Sequence, residues 1–252
     1  MVGQVDSMGQ LCAIVPFSSL CSWMRGTIPT TNFHMPDEII TLYTKESPAD
    51  PVSCERSAYY DNAFTTYKDH YPALIDVFLF NKHSDVLLQK RGRNKRFNAG
   101  KLNTTVGGHI NWGEQAKFSV IHECMEELGA PALAFPKDAY NQAFAKLQPY
   151  THKAALLCEI KNFYRDFAND PIESRRTIKD RIWLYFGRYD GPIEIPDRDS
   201  AGYEWISLDA LQKEFQQHPE QFTDGLKAFT ETFGDEMENF VRTFCQNQPA
   251  SL

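Results

Sequence analysis

Residues 108–130, GHINWGEQAKFSVIHECMEELGA, set a glycine-bearing loop before a short helix and load the last turns of that helix with acid. At 100° per residue, Glu123, Glu126 and Glu127 stand at i, i+3 and i+4, so three carboxylates crowd one edge of the helix. Each like-charge pair at this spacing costs roughly 0.2–0.5 kcal/mol, and the C-terminal end of a helix is the end whose dipole repels anions. The arrangement is unfavourable without a cation. Hard divalent ions with oxygen ligands, Mg2+ or Mn2+ above all, are the expected occupants. The same stretch explains why a helix is expected over 114–128: Phe118, Ile121, Cys124, Met125 and Leu128 recur with helical period and predict the stripe that lies on a sheet. Gly129 suits the left-handed residue that ends it, and Glu114 lies near the favourable end of the dipole. Gly107 and Gly108 let backbone groups approach an ion or a phosphate where a side chain would obstruct.

This pattern resembles the Nudix box, G-x5-E-x7-R-E-U-x-E-E-x-G-U with U aliphatic. Gly108, Glu114, Glu123, Glu126, Glu127 and Gly129 match by type. Cys124 and Ala130 replace aliphatic residues, and His122 stands where the family has an arginine that orients the glutamates. Upstream, LIDVFLFNKHSDVLLQKRGRNKRFNAGKLNTTVGGH (74–109) resembles the Nudix branch related to isopentenyl diphosphate isomerase, and GYEWISLDALQKEFQQHPEQFTDGLKAF (202–229) resembles its closing strand and helices. Ala99, Leu102 and Asn103 depart from the branch's usual proline, tryptophan and aspartate. The resemblance implies an α/β fold, a Nudix-type α/β/α sandwich with a mixed sheet, over residues 36–234. Residues 1–35 are read as an N-terminal extension and 235–252 as a C-terminal helical tail.

The activity implied is metal-dependent hydrolysis of a diphosphate linkage by water attack on phosphorus. Glu126 and Glu127 are implied as the principal metal ligands, supported by a carbonyl at Gly107 or Gly108. Glu123 is implied as a further ligand or as the group that orients or deprotonates water, and Glu114 in an outer role. Which carboxylate is the base stays open. His122 is placed to hold Glu126 one turn on, or is simply a surface histidine. In the isomerases a cysteine immediately before the G-H pair handles the allylic proton; here that place is Gly107. Their two glutamates entering a later strand correspond here to the stretch Lys179, Asp180, Arg181. Isomerisation is therefore disfavoured, and the alternative to hydrolysis is a Nudix-fold binding module without turnover.

Between Val86 and Gly113 the chain has no acidic residue and carries Lys90, Arg91, Arg93, Lys95, Arg96 and Lys101, although its formal net charge is −7. This segregation suits a small-molecule diphosphate substrate beside the glycine loop. Arg91, Lys101 and His109 are the candidate substrate contacts, set against the plainer reading of a solvated basic turn. Nucleic acid is not an expected partner of so acidic a chain, whose pI is near 5.5. A homodimer is left open.

No apolar run approaches the eighteen or so residues a membrane helix needs. The six cysteines, Cys12, Cys21, Cys54, Cys124, Cys158 and Cys245, form no C-x-x-C pair, which favours reduced thiols and a cytoplasmic location. The apolar stretch LCAIVPFSSLCSWM (11–24) has no preceding Lys or Arg and is broken by Pro16, so it does not read as an export signal. Strands are expected at 37–44, 73–80, 86–90, 103–110, 153–161, 182–189 and 203–206. Further helices are expected at 208–217, with Ser207 as N-cap, and at 222–244, broken at Gly234. The polar stretch from Arg165 to Asp180 is read as a long loop or flap, with Arg175 and Arg176 available to anions. Phe222, Phe229, Phe233, Phe240 and Phe244 recur near helical spacing and are expected to pack the core, while Trp112 and Tyr203 are minor candidates for stacking on a nucleoside.

Overall fold

A computed structural model describes residues 37–63, 65–95, 98–168, 177–195 and 200–246. The chain divides into two units, Met1–Pro36 and Asp37–Leu252. The first lies outside the described residues, as do Cys12, Cys21, Arg96, Arg175 and Arg176.

The second unit is a sheet with helices on both faces. In chain order it runs β1 (Ile39–Tyr43), β2 (Val52–Glu55), α1 (Arg56–Asn62), β3 (Tyr71–Phe80), β4 (Asp85–Arg91), β5 (Leu102–Asn103), β6 (Val106–His109) and α2 (Ala116–Leu128). Then follow β7 (Ala132–Pro136), α3 (Lys137–Leu147), β8 (Ala155–Ala168), β9 (Thr177–Arg188), β10 (Ser200–Ser207), α4 (Leu208–Gln217) and α5 (Asp224–Val241), closed by a π-helical turn at Arg242–Gln246. The main path is β10-β4-β3-β9-β8-β7, with β1 and β6 also on β3, β2 on β1 and β5 on β4. The sheet is mixed: β3 with β9 and β7 with β8 are parallel, and the other pairs are antiparallel.

Alternation along β3 divides the core. Ala73, Ile75, Val77 and Leu79 join the cluster under α2, while Phe78 and Phe80 join the one under α3, α4 and α5. A third, smaller cluster of Ile40, Leu42, Cys54 and Tyr59 lies between α1 and the β1–β2 pair. Cys54, Cys124, Cys158 and Cys245 are buried free thiols.

Several elements depart from the expectation, each for a physical reason. The stretch Arg165 to Asp180 is not a loop at its ends: β8 and β9 stay paired from Leu156↔Arg188 to Ala168↔Thr177. Its polar residues are tolerated in strands because Arg165 and Asp180 stand opposite each other and form an ion pair at 2.9 Å. The short elements β2, α1 and β7 have little pattern of their own and lie outside the expected set, as does α3, which gains its place by burying Tyr140 and Phe144 one turn apart. α4 starts as expected, with the Ser207 hydroxyl accepting from the Ala210 N–H at 3.2 Å. The interruption expected at Gly234 is present one residue earlier: Phe233 leaves helical geometry (φ −121°, ψ 16°), and α5 is two helical segments meeting at a kink there. The aromatic row does pack the core, with Phe222, Phe229, Phe233 and Phe240 buried and Phe244 against them.

Candidate active site

The site is framed where β6 and α2 meet. α2 ends at Gly129, which takes the left-handed conformation (φ 63°) and caps the helix through its N–H to the Met125 carbonyl at 3.1 Å. The buried face of the helix is Ser119, Val120, Cys124 and Leu128. This corrects the expected stripe, since Phe118 and Met125 stay 49% and 47% exposed. The helix is rolled so that its glutamate edge turns in towards the sheet, and the two bulky residues are turned out in consequence.

Glu123 and Gly108 show how close that approach is. The Glu123 side chain lies so near Gly108 that a Cβ at 108 would overlap its carboxylate. Glycine is needed here for contact, not for backbone freedom. One turn on, the Glu127 carboxylate accepts from the Gln89 amide at 3.0 Å, and the same nitrogen donates to the Tyr203 hydroxyl at 2.9 Å. Tyr203 donates in turn to the Glu127 carbonyl at 3.3 Å. β4 and β10 thereby hold the last turn of α2 at both its side chain and its backbone. At the other end, Glu114 accepts from the Ser119 hydroxyl at 2.9 Å and faces His122 Nδ1 at 2.9 Å. His122 therefore pairs back to Glu114, which Ser119 also holds, rather than forward to Glu126.

The three helix glutamates share an edge without converging. Glu126 is exposed, Glu127 is turned to Gln89, and Glu123 lies against β6. Among the described residues, no group of three or more His, Cys, Asp or Glu side chains is arranged to hold a metal ion. Mutual repulsion, with a separate partner for Glu127 and a backbone contact for Glu123, accounts for the spread.

Gly107 and His109 belong to the other face of the strand. His109 Nε2 is 3.0 Å from the Tyr60 hydroxyl, with the two rings edge to face. Burial, with a smaller push from the Arg56 charge, lowers its pKa to about 3. A neutral imidazole tied to Tyr60 and facing away from Glu123 is a poor phosphate contact, so the structure does not bring His109 to the carboxylate row. Beside it, Asp76 takes the space a side chain at 107 would enter, its Oδ1 lying 3.1 Å from where a Cβ would stand. Asp76 accepts from the Thr104 hydroxyl at 2.8 Å. Burial raises its pKa to about 6, against opposing contributions from the Arg165 charge and the Thr104 hydrogen bond.

Arg91 closes β4, with its N–H on the Lys101 carbonyl at 3.0 Å, so the two candidate phosphate contacts are neighbours in one loop base. Burial raises the pKa of both Asp76 and Tyr60, and the Arg91 charge offsets a small part of that rise at each. Asp76, Thr104, Gln89 and Tyr60 were not singled out beforehand. For Asp76 a signal was present, since it is a lone polar residue within an apolar strand, LIDVFLF, whereas Gln89 stands beside Lys90 and Arg91 at a polar strand end.

The NUDIX domain family model matches residues 70–226. Isopentenyl-diphosphate Delta-isomerase from Serratia proteamaculans is 22% identical over 167 residues, which span 66% of this chain and 79% of that protein. The enzyme of the same name from Ruegeria pomeroyi is 25% identical over 153 residues, 60% of this chain and 71% of that one. Among solved structures, the MutT protein from Methanosarcina mazei Go1 superposes with a TM-score of 0.45 at 20% identity, covering 66% of this chain and 94% of its own. The curated relatives it resembles come from the branch of isopentenyl diphosphate isomerase, and the family match, which takes in every strand and helix that frames Gly108 from β3 into the first turn of α5, shows that the chain belongs to the Nudix family.

Proposed function

We propose that this chain is a divalent-metal-dependent hydrolase that cleaves the diphosphate linkage of a small organic diphosphate, nucleoside diphosphate-type or other, by water attack on phosphorus. The observation that carries the reading is the contact of Glu123 with Gly108, which stands the carboxylate edge of α2 directly over the backbone of β6. The donors suit a hard cation in kind: Glu123, Glu126, Glu127 and the carbonyls of Gly107 and Gly108 would hold Mg2+ or Mn2+. When bound, such an ion polarises phosphoryl oxygens and lowers the pKa of water. The chain's own residues do the remainder. Gln89 and Tyr203 fix the orientation of Glu127. Glu123 orients or deprotonates the attacking water, and Arg91 and Lys101 neutralise phosphate charge at the base of the loop.

The curated relatives are named as isomerases, but no thiol stands at 107, and the Asp76 carboxyl abuts that space instead. The test is product release from a panel of nucleoside and isoprenoid diphosphates with Mg2+ and with Mn2+, comparing the natural chain with Glu127→Gln. Hydrolysis of at least one compound, abolished by EDTA and by Glu127→Gln, is expected. Tight binding of one compound with equal, negligible turnover in both proteins would establish a binding module instead, and double-bond migration in isopentenyl diphosphate would overturn the reading in favour of isomerisation.

A further inference from the structure

We infer that Trp112 and Phe118 form a subsite for a planar aromatic ring carried by the diphosphate, a nucleobase being the fitting chemistry. For the identity of the neighbouring group as a phosphate, this rests on the hydrolase reading. The rotation of α2 that brings Glu123 to the sheet leaves Phe118 half exposed, and Trp112, in the preceding loop, is exposed to the same 49%. A single exposed ring calls for no explanation. These two, however, line one cleft of about 540 Å3, together with Asn111, Gln115, Glu114 and His122. The cleft is shallow and open to solvent, with room for one planar ring laid against its wall.

The cleft is held in shape from beneath. The Trp112 N–H donates to the Ile39 carbonyl at 2.8 Å, the Thr41 hydroxyl donates to the Asn111 carbonyl at 3.0 Å, and Asn111 bridges to Ile40. The turn closes with the Glu114 N–H on the Asn111 carbonyl at 3.0 Å and Gly113 at φ 81°. A tryptophan presented from so clamped a backbone loses little freedom on stacking. Lys117 Nζ sits over the Phe118 ring, 4.9 Å from its centre. Asn111 and Gln115 are exposed and supply amide groups able to read a ring edge. Glu114 and His122 belong both to this cleft and to the box, so a ring seated here is joined to the carboxylate helix through one wall.

The test uses the full chain, without added metal, and measures binding of AMP and of UMP by calorimetry against ribose 5-phosphate, which carries the same phosphate without the ring. At least one nucleotide is expected to bind roughly tenfold or more tightly than ribose 5-phosphate, the scale of one stacked base. Trp112→Ala is expected to erase that preference, Phe118→Ala to reduce it and Trp112→Phe to keep most of it, all with unchanged thermal melts. Equal binding of nucleotides and ribose 5-phosphate, including no binding of either, would overturn the inference, as would a preference that survives Trp112→Ala. Loss of self-association in Trp112→Ala, with ring preference unaltered, would assign the cleft to a second copy instead. A ring preference in a chain that hydrolyses nothing would leave this subsite standing and remove only the hydrolase reading.

Discussion

The two faces of the sheet are made of different material. Under α3, α4 and α5 the contacts are aromatic: Phe240 alone packs near Phe80, Tyr140, Phe186 and Phe244, with ring centroids 4.9–5.8 Å apart. Under α2 the wall includes Ala73, Ala130, Ala132 and Ala155, with Gly108 at its rim. Large rings interlock and anchor a helical layer, whereas small residues let a helix come close enough for a carboxylate to touch a strand. The fold thus places most of its packing on one face and keeps its candidate chemistry on the other, where close approach matters more than area buried.

This division is most directly broken by Phe240→Ala. Removing that ring is expected to cost about 3–5 kcal/mol, the range for buried aromatic truncations, while leaving turnover per folded molecule unchanged. A protein that kept its stability but lost turnover would join the two faces into one functional unit. Gly108→Ala is the converse experiment. The added methyl meets the flexible end of Glu123, which can swing away, so stability should move by less than about 1 kcal/mol. Turnover should fall on the order of a hundredfold, as when one group that holds charge in the transition state is misplaced. A crystal structure of that variant with Glu123 unmoved and activity intact would remove the Glu123–Gly108 contact from the proposed mechanism.

Asp76 sharpens the comparison, since it is a buried carboxyl on the face that carries the aromatic packing. Its pKa rises from 3.8 in the reference state to about 6 in the fold. Between those values the folded chain binds more protons than the unfolded one, so this group's contribution to stability falls as pH rises from about 4 to about 6 and stays low above that. Asp76→Asn removes the cost, and is expected to raise the stability measured by urea unfolding at pH 7.5 by on the order of 2 kcal/mol, with little change at pH 3.5. A loss at pH 7.5 would show that Arg165 and Arg91 compensate the charge more than burial penalises it. The smallest effect is expected for His122→Arg. The His122–Glu114 pair is exposed on the histidine side, so stability should change by less than about 1 kcal/mol. Turnover should hold or rise, and a large drop would give the histidine a role of its own.

How much was legible beforehand differs by residue. The α2 helix, its glycine stop and the Ser207 cap follow from local chemistry that the tertiary structure does not alter. α3 is absent from the expected helices although Tyr140, Phe144 and Leu147 recur at helical spacing; an eleven-residue helix is marginal on its own turns and is stabilised by the sheet it meets. The ends of the Arg165–Asp180 stretch looked like a loop because a polar strand is readable only together with its partner, and the partner of Arg165 is Asp180 across the ladder. His109 looked like a phosphate contact by adjacency to Gly108, yet one residue along a strand is a change of face.

Sequence alone indicated a helix over 114–128, of which 116–128 is helical, with three late glutamates sharing an edge and the Gly107–Gly108 pair preceding it. Which edge of that helix meets the sheet was decided only in the folded molecule. Helical periodicity specifies the angles between side chains but not the absolute rotation of the helix on its neighbour. Here that rotation is set by Gly108 giving way to Glu123 and by Gln89 and Tyr203 holding Glu127, and the same turn of the helix leaves Phe118 beside Trp112 in the open cleft.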